Sequence, residues 1–244
     1  MAQTSFLTYV KTSRVKDGDM SLISCGEAQE HRRSYFDSEH LSIEQGVFMM
    51  VPRPNGTTIA EVDLAARGHT ITADALLTRD AGLVLALLTA DCLPIIVSDE
   101  ERGIIALAHC GWESTHLHLP QILLERFSAL GSEPSQLRVR IGPGIHANSY
   151  WQTREKVRQI HDPAWKPFLR EDNIGRIGID VQGYVTSQCR EKGVRDIVED
   201  PTDTYRDPQY FSHRRAEETS GHDGRMVTLA WLESGSHETR MRVQ

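Results

Sequence analysis

The sequence predicts an α+β fold in which helices cover a layered, mixed or antiparallel sheet. Three observations predict it. Strand-like and helix-like segments are mixed without a regular βαβ alternation. Residues 83–97 are almost wholly apolar and residues 104–108 are apolar again, which reads as buried strands. Between them Ser98-Asp99-Glu100-Glu101-Arg102-Gly103 reads as a tight loop, so the central pair is an antiparallel hairpin.

The elements follow in order. The first 45 residues are polar and weakly patterned, with a helix expected over residues 28–37. Residues 46–51 read as a buried strand, ended by Pro52-Arg53-Pro54-Asn55-Gly56, and residues 57–62 alternate like a second one. Leu119, Ile122, Leu123, Phe127 and Leu130 have helical spacing; Pro120 is tolerable there only in the first turn, and Gly131 is a natural stop. Residues 137–141 alternate as a half-buried strand, residues 180–191 look helical and residues 196–198 form a short strand. Residues 227–232 are the last strand, before a polar tail (233–244) expected to fray. No linker, low-complexity tract or repeat interrupts the 244 residues, so one domain, 1–244, is expected.

A formal charge of −7 argues against nucleic acid as the main partner, because a phosphate backbone needs a concentrated basic face. No apolar stretch is long enough to span a bilayer, so no membrane partner is expected either. The N-terminus lacks the basic and apolar regions of a signal peptide, and the four scattered cysteines suit a reducing compartment. A cytoplasmic location is the expectation.

The hairpin carries a candidate site. A turn centred on Glu100-Glu101 pairs Ser98 with Gly103 and Cys92 with His109. Directly opposed residues share a face with Cβ atoms about 4.5–5.5 Å apart. A thiol and an imidazole at that separation can share a proton or a metal ion. The plainer reading is a core cysteine beside a satisfied histidine. Pro94 removes a ladder donor and marks a place where the register can shift.

Thr-Ala-Asp-Cys-Leu-Pro (89–94), Ala-His-Cys-Gly-Trp (108–112) and Ile-Gly-Pro-Gly-Ile (141–145) occur in order. Tyr205-Arg206-Asp207-Pro208, Phe211-Ser212-His213-Arg214-Arg215 and Gly224-Arg225-Met226 follow them. With Ala73–Thr78, this series resembles the laccase-domain (YfiH-type) family, over residues 46–232. The resemblance implies a layered fold like the catalytic domain of cytotoxic necrotizing factor, a cysteine hydrolase. It also implies a zinc site of one Cys and two His, acting on purine nucleosides by phosphorolysis or adenosine deamination. Two ligands fall on Cys92 and His109. The third, usually in Gln-Val-His-Gly, falls on Asn55 of Arg53-Pro54-Asn55-Gly56. A neutral amide is a poor zinc ligand.

Other family positions differ too. Gly-Trp-Arg-Gly becomes Gly111-Trp112-Glu113-Ser114, Cys-Cys-Tyr-Glu becomes Asn148-Ser149-Tyr150-Trp151, and a cysteine before Thr-Tyr becomes Asp203. Phosphorolysis needs an anion site, for which the forked guanidinium groups of Arg214, Arg215 and Arg225 are candidates, beside His213, unless they form an ordinary solvated loop. Asp91 or Asp74 would orient a metal-bound water or a ligand, or simply cap a turn. His69, His116 and His118 are candidates to replace the missing ligand. The expected function is therefore a zinc-dependent purine nucleoside phosphorylase or adenosine deaminase, weakened by Asn55, with a nucleoside and phosphate as partners. The alternatives are a metal-free Cys–His hydrolase or a non-catalytic paralogue that binds a ligand. A copper oxidoreductase is the least supported, since the eleven histidines are scattered.

Overall fold

The computed structural model describes residues 5–22 and 26–235. In chain order the elements are β1 (Ser5–Thr12), α1 (Glu27–Ser38), β2 (Gly46–Met50), β3 (Ile59–Glu61), β4 (Thr70–Thr72), β5 (Ala75–Thr78) and β6 (Val84–Thr89). Then come β7 (Leu93–Asp99), β8 (Ile104–Cys110), α2 (Trp112–His116), α3 (Leu119–Ala129), β9 (Arg138–Ile141), β10 (Trp151–Thr153) and β11 (Leu169–Glu171). The last are β12 (Arg176–Ile179), α4 (Val181–Glu191), β13 (Asp196–Glu199), α5 (His213–Thr219) and β14 (Met226–Gly235).

Two mixed sheets dominate. One has the order β1-β14-β6-β2-β4 and the other β13-β9-β7-β8-β5-β3, while β10, β12 and β11 form a small third sheet. The two large sheets share a core: Val47, Met49, Leu85 and Leu87 of the first pack with Leu76, Ile96, Ile105 and Leu107 of the second. Their outer faces carry helices. Tyr35 and Phe36 of α1 cover Phe48, Val84 and Trp231, and Leu123, Phe127, Val185 and Cys189 of α3 and α4 cover Leu93, Ile95 and Val139. The result is a four-layer helix–sheet–sheet–helix stack, an α+β fold as expected. Each core leucine or valine buried in it stabilises the fold by about 1.5–3 kcal/mol.

This layering explains the long apolar run. Val84 and Ala86 face α1 while Leu85 and Leu87 face the other sheet, so no position is left for polar alternation. The run is two strands belonging to different sheets. The chain leaves the first at Thr89 and enters the second at Leu93, and Asp91 at the crossing has a φ of 82°, a left-handed conformation unusual for a residue with a Cβ.

The hairpin expectation needs a correction of register. β7 pairs with β8 so that Asp99 faces Ile104 and Pro94 faces His109. The loop is Glu100–Gly103, because the Asp99 carboxylate accepts the Glu101 and Arg102 N–H groups and Gly103 takes a φ of 65°. Relative to the expected pairing the partners slip by two, which preserves faces. Cys92, just before β7, therefore shares a side with His109 as a diagonal neighbour.

The N-terminal segment also differs from expectation. β1 pairs along its length with β14, from Ser5 opposite Gly235 to Thr12 opposite Thr228. Residues 233–235 are thus strand; Cys25 and the rest of the tail lie outside the described residues. Helix α1 and strands β2, β9 and β13 fall close to their predicted places, as do helices α3 and α4. No helix among the described residues is long and apolar enough to cross a membrane.

Candidate active site

The sheet crossing at Ala90–Cys92 puts Cys92 where three segments meet. A Cβ built on Gly111 would lie 3.1 Å from Cys92 Sγ, 3.3 Å from His109 Cε1 and 3.3 Å from Asn55 Nδ2. The three residues expected as ligands from the resemblance therefore converge on one point, and glycine at 111 leaves that point open. Asn55 is brought there by Asp74, whose fully buried carboxylate accepts the N–H groups of Gly56 (2.7 Å) and Thr58 (2.9 Å). The backbone of the same aspartate accepts the His109 N–H at 2.9 Å, tying the loop to β8. Asp74 thus positions both neighbours through the backbone.

Electrostatics keep the pair neutral. Burial, with the Asp91 charge adding to it, pushes the Cys92 thiol up to about 12. Burial also pushes His109 down to about 4, and its Nδ1 has no hydrogen-bond partner among the described residues. Ser114 locks the turn behind them: its hydroxyl donates to the His109 carbonyl at 2.8 Å and accepts the Gly111 N–H at 3.1 Å.

Cys92 stands on the wall between two cavities. One, of about 380 Å³, is faced by Leu93, Trp112, Ile145, Tyr150, Val181 and Arg214. Trp112 and Tyr150 meet edge to face there, with ring centres 6.4 Å apart, and the Arg214 guanidinium lies 5.6 Å from the centre of the Tyr150 ring. The other, of about 400 Å³, is polar and cationic, faced by Arg53, Asn55, His109, Glu113, His213 and Arg225. Ala90, Cys92 and His213 belong to both.

Several expected roles change. Asp91 was a candidate to orient water or a ligand, but its carboxylate is engaged elsewhere. It accepts the Thr204 hydroxyl (2.7 Å), the Ser212 hydroxyl (3.0 Å) and the Arg214 N–H (2.7 Å), while its carbonyl accepts the Ile145 N–H. Asp91 fastens the C-terminal loops to the crossing. Arg215 was expected to bind phosphate, yet its guanidinium donates to the carbonyls of Thr204, Tyr205, Asp207 and Tyr210. Its fork is consumed in holding that loop. Arg225 faces the cationic cavity but is paired with Asp223. Arg214 makes no ion pair among the described residues.

None of the three histidines proposed to replace the missing ligand faces either cavity. His69 is exposed, His116 bonds Trp165 Nε1 at 3.1 Å, and His118 packs against Tyr184. Arg53, Glu113 and Tyr150 also face the cavities, a role their sequence alone does not signal although each lies within or beside one of the motifs above. The Ser149 hydroxyl donates to the Asp203 carboxylate at 2.6 Å, which ties residues 146–150 to the 203–207 loop.

The donor set bears on zinc. A catalytic zinc needs three protein donors and an open place for water. Here a thiol and an imidazole are joined by a neutral amide, and no three His, Cys, Asp or Glu side chains among the described residues form a metal-binding group. That set does not fit a tight zinc centre. Nor does it provide the clustered histidines of multicopper chemistry.

The chain resembles several known proteins. It is 29% identical to the purine nucleoside phosphorylase ORF3 of Streptomyces griseus, covering 80% of this chain and 78% of that protein. It is also 29% identical to a purine nucleoside phosphorylase of Corynebacterium glutamicum, covering 83% and 80%. Its fold matches the crystal structure of YlmD from Geobacillus stearothermophilus with a TM-score of 0.80 at 24% identity, over 93% of this chain and 92% of that one. YfiH of Bacillus licheniformis matches with a TM-score of 0.79 at 22% identity, over 88% and 85%. With residues 26–233 matching the family described as multi-copper polyphenol oxidoreductase laccase, the chain belongs to that laccase-like, YfiH-type family.

Proposed function

We propose that the chain cleaves purine nucleosides by phosphorolysis at the wall between the two cavities. The observation that carries this reading is the pair of cavities on either side of Cys92: one offers the edge-to-face rings of Trp112 and Tyr150 to a purine, and the other offers Arg53, Arg225 and His213, against the single carboxylate of Glu113, to phosphate. The related proteins named purine nucleoside phosphorylase support it. In this reading Trp112 and Tyr150 hold the base, and Arg53, Arg225 and His213 receive the phosphate dianion. A phosphate oxygen forms a bond to C1′ as the C1′–N9 bond breaks. The electron pair leaves with the base, which takes up the proton given up by the attacking hydrogen phosphate and departs as free purine, leaving the sugar as its 1-phosphate. His109, pushed toward its neutral form by burial, faces the cationic cavity, where its ring is the group to hydrogen-bond the phosphate or the sugar. Zinc has no part in this reading, because the thiol, imidazole and amide present do not fit it.

A metal-free cysteine hydrolase like the toxin deamidases is the weaker reading. It needs a thiolate near neutral pH, and a Cys92 thiol pushed up to about 12 supplies very little. Alkylation of Cys92 at pH 7 should accordingly be slow.

The test is chromatography of inosine and adenosine incubated with the wild type and with His109→Ala, with and without inorganic phosphate. Free purine and sugar 1-phosphate should form only with phosphate, and only weakly in the variant. Free purine without phosphate would make it a hydrolase, and inosine formed from adenosine would add the deaminase activity. No product from a folded wild type would leave a binding protein in place of an enzyme.

A further inference from the structure

Beside the aromatic cavity lies a third cavity of about 420 Å³, reached past Gln152, Lys156 and Arg214, which face both. Its other walls bring in Arg176 and Arg206, so four cations face one space in a chain whose formal charge is −7. We propose that this annex binds a phosphate group, held beside a purine nucleoside seated in the aromatic cavity.

The charge inventory supports an anion. Arg176 is held by Asp172 at 2.8 Å, and Arg206 approaches Asp203 at 3.6 Å and donates to the Ser149 hydroxyl at 3.2 Å. Lys156 and Arg214 have no ion-pair partner among the described residues. Glu218 is the one carboxylate facing the annex, and it accepts the Tyr205 hydroxyl at 2.6 Å. At the end shared with the aromatic cavity Asp91 and Glu217 also line the wall, but Asp91 is engaged by Thr204, Ser212 and the Arg214 N–H and Glu217 approaches His213 at 3.4 Å, so neither forms an ion pair with Lys156 or Arg214. The geometry there is partly fixed. Arg214 is anchored by its backbone to Asp91 and reaches the Trp151 carbonyl at 3.4 Å, while Arg176 lies over the Trp151 ring, 5.4 Å from its centre. A fork at Arg214 and a mobile ammonium at Lys156 suit the oxygens of a phosphate.

This annex is distinct from the cationic cavity beyond Cys92, which holds Arg53 and Arg225. The phosphate has two chemical sources: an ester carried by the ligand, as in a nucleoside monophosphate, or free inorganic phosphate. The nucleoside part of the inference rests on the function proposed above; the phosphate part does not.

Calorimetric titration of the full chain tests it, using inorganic phosphate, inosine and inosine 5′-monophosphate as separate probes. The variants are Lys156→Gln and Arg206→Gln, each checked for folding by thermal melting. For groups this exposed, each lost cation should weaken phosphate binding about five- to tenfold. If the annex holds an ester, the preference for inosine 5′-monophosphate over inosine falls by that factor in both variants. If it holds free phosphate, that preference stays and the affinity for inorganic phosphate falls instead. Folded variants that bind all three probes like the wild type overturn the proposal. A wild type that binds phosphate in a Lys156-dependent way but no inosine would overturn the nucleoside reading alone.

Discussion

Asp91 is where structure and chemistry separate most sharply. The residue adjoins Cys92, which invites a catalytic role, yet it is only 8% exposed and its carboxylate accepts three hydrogen bonds from residues 204, 212 and 214. Hydrogen bonds to a charged group are worth about 1.5–3 kcal/mol each, and donors left buried and unpaired cost a similar amount. The two hydroxyls can rotate to other acceptors, while the Arg214 N–H cannot. Alanine must also hold the left-handed backbone, at about 1 kcal/mol or more. Asp91→Ala should therefore lose about 4 kcal/mol, while Asp91→Asn, which tolerates that backbone and keeps one acceptor, loses about half as much. For a domain of this size 1 kcal/mol is about 2–4 °C in Tm, so the alanine variant should melt roughly 8–16 °C lower. Chemical denaturation and melting, read beside turnover, are the assays. In the asparagine variant KM for the nucleoside should rise, because Arg214 loosens, while the pH profile of kcat stays as in the wild type. An alanine variant within 1 kcal/mol of the wild type but without turnover would refute this reasoning and make Asp91 catalytic.

The remaining predictions concern the same wall. Asn55→His supplies a third good donor beside Cys92 and His109; with zinc binding worth about 10–16 kcal/mol over four ligands, one ligand is worth roughly 100-fold in affinity. Metal analysis after dialysis should show near-stoichiometric zinc only in that variant, and equal zinc in both proteins would count against Asn55 as the deciding position. Gly111→Ala places a methyl group 3.1–3.3 Å from all three site residues, so they must shift by a few tenths of an ångström. Steady-state kinetics should show kcat/KM falling about tenfold or more with little change in melting temperature. Burial raises the thiols of Cys110 and of Cys189, the latter to about 12. A raised thiol stabilises the fold fully below its unfolded value of about 8.5 and loses that contribution as pH rises through the folded value, at about 1.4 kcal/mol per thiol per pH unit. Unfolding free energy should thus drop steeply above pH 9, and Cys189→Ala should flatten the slope.

Much of the helical structure was legible because it is local: the spacing in 119–130 and 180–191 follows one helix face each. The two-sheet arrangement was not, because strands covered on both faces carry no polar alternation, and residues 83–97 read as one run until the left-handed turn at Asp91 divides them. Strand β1 escaped notice for another reason. Its partner β14 lies at the far end of the chain, and Phe6, Leu7, Tyr9 and Val10 give both faces apolar residues. Cys92 and His109 were found despite a misplaced turn, since a slip of two residues leaves faces unchanged. The fates of Asp91 and Arg215 were hidden. A carboxylate and a guanidinium look alike in sequence whether they meet a substrate or a buried loop.

The most direct test of the proposed site is a crystal structure of the chain soaked with inosine and phosphate. The purine should lie against Trp112 and Tyr150 with the sugar C1′ turned toward Cys92 and His109. A purine bound outside both cavities that flank Cys92 would contradict the account.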